Sequence, residues 1–133
     1  MLPMKRRFLI AGVWMALVAT LFGALGAHAF KHHITAEQWS SFQTGIQYQF
    51  IHSLALIITG ILYAHWPDKF VLWSGYLFLS GVLMFSGSIY LLATRDIIGY
   101  NYSFIGPITP LGGLMLMAGW ISLLISLFRM KND

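Results

Sequence analysis

Tyr48-Gln49-Phe50-Ile51-His52 sits inside an apolar run, Gly45 to Ala64, that is long enough to cross a bilayer yet carries a glutamine and a histidine near one end. An amide or imidazole buried in hydrocarbon without a partner costs several kcal/mol. The rest of the chain must therefore bring groups that satisfy Gln49 and His52. That requirement predicts further spanning helices around this one, with a polar interior at the depth of these two residues.

Composition agrees. Of the 133 residues 58% are hydrophobic and 9% charged, against about 25% charged in a soluble domain. The length allows one domain, residues 1–133. The net charge of +4 comes mainly from the chain ends, which gives a nucleic-acid partner no support. With no cysteine, disulfides, thiolate metal sites and thiol nucleophiles are excluded.

Before the central run, Lys5-Arg6-Arg7 precedes an apolar stretch from Phe8 to about His28. A secretory signal peptide is the competing reading, since Ala27-His28-Ala29 has the shape of a cleavage site. The stretch exceeds the usual h-region of about 7–15 residues. Small residues at Ala16, Ala19, Gly23, Gly26 and Ala27 also recur at helix-packing spacing. Both features favour a retained span.

After it, Thr35-Ala36-Glu37-Gln38 matches a capping box and starts a helix near Ala36. A helix from there to His65 would be about 45 Å long, so Gly45 is read as a break between a short interfacial helix in the first outer loop and the span proper. On that span Gly45, Tyr48, Gln49, His52, Leu56, Thr59 and Tyr63 share a face.

Pro67 ends the second helix and Asp68 caps a third, Phe70 to Ala93, on which Ser74, Gly81 and Ser88 form a seven-residue seam of small residues. Thr109-Pro110 reads as the N-cap and first residue of a fourth, which carries Gly112, Gly119, Ser122 and Ser126 on one stripe. The expected fold is an all-α membrane protein, an antiparallel four-helix bundle with spans at about residues 8–28, 45–65, 70–93 and 110–129. Its packing positions are Gly23, Gly26, Ser74, Gly81, Gly112 and Gly119.

An even number of spans puts both termini on one side. Lys5, Arg6, Arg7, Lys69, Arg129 and Lys131 lie on that side, against Lys31 and Arg95 on the other. The positive-inside rule then places both termini in the cytoplasm. His28, Tyr48, Gln49, His52, Ser86, Ser88, Tyr90 and Thr109 fall at similar depth, forming an outer-leaflet polar cluster. Groups on the other three helices are expected to meet His52, with Gln49 supporting it from the preceding turn.

The chain also resembles a known family. Gly23-Ala24-Leu25-Gly26-Ala27-His28, Thr44-Gly45-Ile46-Gln47-Tyr48-Gln49-Phe50-Ile51-His52, Phe85-Ser86-Gly87-Ser88-Ile89-Tyr90, and Thr109-Pro110-Leu111-Gly112-Gly113 with Ala118-Gly119-Trp120 occur in family order over nearly the whole chain. They are similar to the YgdD/YwdK-type family of small bacterial inner-membrane proteins, a domain of unknown function with a mitochondrial and animal relative. The resemblance implies four inner-membrane helices with the first retained, and it brings no established activity. The family often has an acid where this chain has Gln47.

Catalysis finds no footing. Glu37, Asp68, Asp96 and Asp133 lie in loops or tails, and neither a nucleophile elbow nor a phosphate loop is present. The favoured reading is a structural or partner-binding membrane subunit without cofactor or metal, set in the lipid bilayer as a homo-oligomer or with another membrane protein. The alternative is a lipid or small-ligand protein using the polar cluster. A haem protein with His28 and His52 as axial ligands comes third.

Overall fold

The computed structural model describes residues 3–130. Among these the chain is helical with no strand: α1 Met4–Ala29, α2 Ala36–His65, α3 Lys69–Ala93, a single turn α4 Arg95–Ile98, a 3₁₀ turn Ser103–Ile105, and α5 Ile108–Arg129. The four long helices are each apolar and long enough to cross a membrane, and they form the bundle expected. Lys131 and Asp133 lie outside the described residues.

The local signals explain most of the boundaries. The Thr35 hydroxyl accepts from the Gln38 N–H at 3.2 Å while the Gln38 side chain accepts from the Thr35 N–H at 2.9 Å, so the capping box closes in both directions. Asp68 Oδ2 accepts from the Phe70 N–H at 3.0 Å and starts α3.

Two expectations are corrected. α2 runs unbroken through Gly45, with no separate interfacial helix before it, because that glycine is a contact point rather than a hinge. A Cβ there would lie 2.8 Å from the Tyr90 ring and 3.1 Å from Ile89. Thr109 is not an N-cap either. The backbone already turns helically through the 3₁₀ segment and Gly106, so α5 begins at Ile108 after Pro107. Pro110 still falls in the first turn, where a missing N–H breaks no bond, and the Thr109 hydroxyl is released for tertiary contact.

α2 and α3 form the centre, with α1 against α2 on one side and α5 against α3 on the other. Short links join consecutive spans at alternate ends. The segments 30–35 and 94–107 share one end of the bundle (the loop end), and the turn at 66–68 shares the other with the chain termini. The core threads all four long helices through Phe8, Met15, Leu56, Phe78, Leu116 and Leu123.

Small residues set the helix approaches. On α3, Gly81 receives Leu116; on α5, Gly119 receives Phe78, and Gly112 lies against the Phe85 backbone. Ser74 is fully buried, and Gly26 meets Phe42, with an added Cβ 2.9 Å away. Gly23 departs from the expected seam. It is exposed, and its nearest neighbour, Ile46, stands 3.9 Å from an added Cβ.

Candidate functional site

The polar residues of the central run meet partners on every long helix. Gln49, buried on α2, donates through Nε2 to the Met15 carbonyl of α1 at 2.8 Å and accepts at Oε1 from the Tyr90 hydroxyl of α3 at 2.7 Å. Three helices are tied through one amide.

One turn along, His52 Nε2 accepts from Trp120 Nε1 of α5 at 3.1 Å. An indole N–H only donates, so Nε2 presents its lone pair and the proton sits on Nδ1. That proton goes to the Tyr48 carbonyl, 2.7 Å away. Both ring nitrogens are used. Aromatic rings enclose the imidazole: Tyr48 at 5.8 Å, Phe78 at 5.7 Å and Trp120 at 5.9 Å between centroids.

Further bonds continue the lattice. Ser86 donates to the Gly45 carbonyl at 2.7 Å, joining α3 to α2. Ser88 and Thr109 share a hydrogen bond of 2.6 Å between α3 and α5. Ser122 donates to the Phe70 carbonyl at 2.7 Å, tying the same pair nearer the termini. Because backbone carbonyls supply so many acceptors, few polar side chains suffice.

The predicted residues divide accordingly. Gln49, His52, Ser86, Ser88, Tyr90 and Thr109 enter the lattice through their side chains, and Tyr48 through its carbonyl, with its ring at the bundle edge 40% exposed. His28 is brought to none of them. It lies exposed at the loop end of α1. His52 is met by α5 and its own helix, with α3 contributing only the Phe78 ring, and Gln49 bridges elsewhere instead of supporting it. Sequence reasoning missed Trp120, although the signal was available: an indole N–H placed mid-span needs an acceptor.

A second recess opens at the loop end. It encloses about 530 Å³ between the start of α2, the end of α3 and α4, and is lined by Glu37, Gln38, Ser41, Arg95, Asp96 and Thr109 among others. Gln38 Nε2 donates to Asp96 Oδ2 at 2.7 Å across it, and Arg95 Nε lies 3.9 Å from Asp96 Oδ1. Gln38 thus serves both the helix cap and the tether to the 94–107 segment. Among the described residues no three His, Cys, Asp or Glu side chains gather as a metal would require.

A family model described as a protein of unknown function, DUF423, matches residues 22–113. The chain belongs to the DUF423 family. Proteins similar to it include a UPF0382 membrane protein of Staphylococcus haemolyticus, 37% identical over 92% of this chain and 95% of that one. The UPF0382 membrane protein YwdK of Bacillus subtilis is 35% identical over 90% and 94%, and the UPF0382 inner membrane protein YgdD of Escherichia coli is 30% identical over 96% and 94%. No solved structure matches the chain. The DUF423 match takes in Gln49, His52, Ser86, Ser88, Tyr90 and Thr109 but ends before Trp120 and begins after Met15, so the lattice is completed from outside it.

Proposed function

We propose that this DUF423 protein is a non-catalytic structural or partner-binding subunit of the inner membrane, with both termini cytoplasmic. One observation carries the reading: Gln49 and His52, the polar residues of the central run, are spent on bonds that tie α2 to the other helices. Gln49 and His52 are the residues a transport or redox mechanism would need free, and each already holds two hydrogen bonds. To act as an axial ligand His52 would have to surrender Trp120, and the exposed His28 stands at the loop end. Lattices of this kind fix one helix arrangement and leave the outward faces of α1 and α5 for lipid or a partner.

The test is purification of the full chain in native nanodiscs followed by native mass spectrometry. A stoichiometric protein partner or a defined homo-oligomer is expected. A monomer carrying a small polar solute, retained by the wild type and lost in Glu37→Gln or Arg95→Gln, would move the function to the loop-end recess. That recess is the second reading, favoured by its volume and its two charge signs.

A further inference from the structure

Where helices cross in this bundle, glycines are covered. An added Cβ would stand 2.9 Å from the Ser53 carbonyl at Gly12, 2.7 Å from Leu116 at Gly81 and 2.8 Å from Phe78 at Gly119. Gly87, inside α3, differs: a Cβ there would meet no atom within 4 Å. A helical glycine costs about 1 kcal/mol relative to alanine, and here no protein atom occupies the space it opens.

That space belongs to a groove of about 270 Å³ between α1 and α3, with Trp14, Val18, Phe22, Leu83, Gly87 and Tyr90 in its walls. Trp14 and Leu83 stand proud at its rims, 62% and 65% exposed. Gln49 and Tyr90, its polar wall residues, are already bonded to each other, and Gln49 to Met15. The wall therefore offers mainly carbon.

At the Phe22–Tyr90 pair, edge-on with centroids 5.0 Å apart, the groove meets an aromatic hollow of about 200 Å³ bounded by Phe30, Phe42, Thr94 and Ile97. Trp14 to Phe30 is about 24 Å along α1 at the helical rise, so the two hollows run from mid-membrane to the loop end. There Lys31 follows Phe30 and Arg95 follows Thr94. These are the lysine and arginine of the loop end, and each adjoins in sequence a residue that bounds this hollow.

We propose that the groove seats an acyl chain of a phospholipid from the leaflet at the loop end, with its anionic headgroup between Lys31 and Arg95. The inference is independent of the role proposed above. A second copy of the chain is the weaker occupant, because a groove of about 270 Å³ is too small for a helix about 10–12 Å across and suits an alkyl chain. Lys31 and Arg95, the latter with Asp96 3.9 Å away, favour a phosphate-bearing, net anionic lipid at the loop end.

The full chain in phosphatidylcholine nanodiscs, given a trace of phosphatidylglycerol with a diazirine in its acyl chain, tests this by photolabelling and peptide mapping. Label should concentrate on Trp14, Val18 and residues 83–90 relative to the lipid-facing Leu114 and Ile121 of α5. Gly87→Leu places its Cβ where no protein atom lies within 4 Å and extends into the groove, and it should lose that enrichment while keeping its helical circular dichroism. Should the leucine variant lose helicity, Gly87→Ala takes its place with a partial loss expected. Lys31→Gln with Arg95→Gln should lower labelling by the phosphatidylglycerol probe to the level of a phosphatidylcholine probe with the same chain. Even labelling over all lipid-facing helices, or enrichment unchanged in the glycine variants, overturns the acyl seat. Equal wild-type labelling by the two probes overturns the headgroup assignment. Capture of a dimer through oxidised Gly87→Cys gives the groove to a second copy and overturns the proposal.

Discussion

His52 is held in one tautomer by its partners: Trp120 can only donate, and the Tyr48 carbonyl can only accept. Measured intramembrane side-chain hydrogen bonds average about 0.6 kcal/mol and reach about 1.7. His52→Leu, which loses both bonds, should therefore lower stability by about 1–2 kcal/mol. His52→Gln should lose less, since glutamine offers a donor and an acceptor. Trp120→Phe keeps the ring against Phe78, 4.9 Å away, and should lose about 0.6 kcal/mol. Unfolding in mixed micelles titrated with sodium dodecyl sulfate reads each value. If Trp120→Phe costs as much in the His52→Leu background as in wild type, the bond contributes nothing. Gln49→Leu should match or exceed His52→Leu, because it unties α1 and α3 together and strands the Tyr90 hydroxyl.

Between elements, the α3–α5 contact follows from small residues. The seven-residue seam of Ser74, Gly81 and Ser88 was legible because helical periodicity fixes which side chains share a face. What covers each position was not legible, and it decides the cost of substitution. At Gly112 an added Cβ would strike the Phe85 backbone, which cannot rotate away. Gly112→Ala should cost on the order of 1–3 kcal/mol, as overpacking does. Gly81→Ala should cost less, since a flexible Leu116 side chain is the nearest obstacle. Gly23→Ala, with open space for its Cβ inside α1, should cost nothing and gain up to about 1 kcal/mol from helix propensity. Identical unfolding midpoints for Gly112→Ala and Gly23→Ala would remove the distinction. The continuity of α2 teaches the same lesson: Gly45 looks like a hinge by residue type and is a close contact by position.

Across the whole molecule, the charge asymmetry between the two ends predicts topology. Cysteines introduced at the exposed Ser41 and Ser103 should react with an impermeant maleimide added to intact cells, and one near the chain terminus should not. Labelling of the two loop sites only after the cells are opened would reverse the orientation. α1 contributes Phe8 and Met15 to the core and the Met15 carbonyl to Gln49, so the membrane-extracted protein should show the intact mass with α1 retained. A species beginning at Phe30 would contradict this.

Sequence alone determined the fold class, the helix start at Ala36, the Asp68 cap of α3, and the need for buried partners at Gln49 and His52. These rest on rules acting within one segment: bilayer thickness sets span length, capping closes within a turn, and unpartnered polar groups are penalised wherever hydrocarbon surrounds them. Tertiary structure decided which partner each residue takes. The acceptors for Gln49, Ser86 and Ser122 are carbonyls of Met15, Gly45 and Phe70, and every residue carries a carbonyl, so no residue type marks them in advance. The opening above Gly87 was likewise invisible, because it is set by how far α1 and α3 stand apart at that depth.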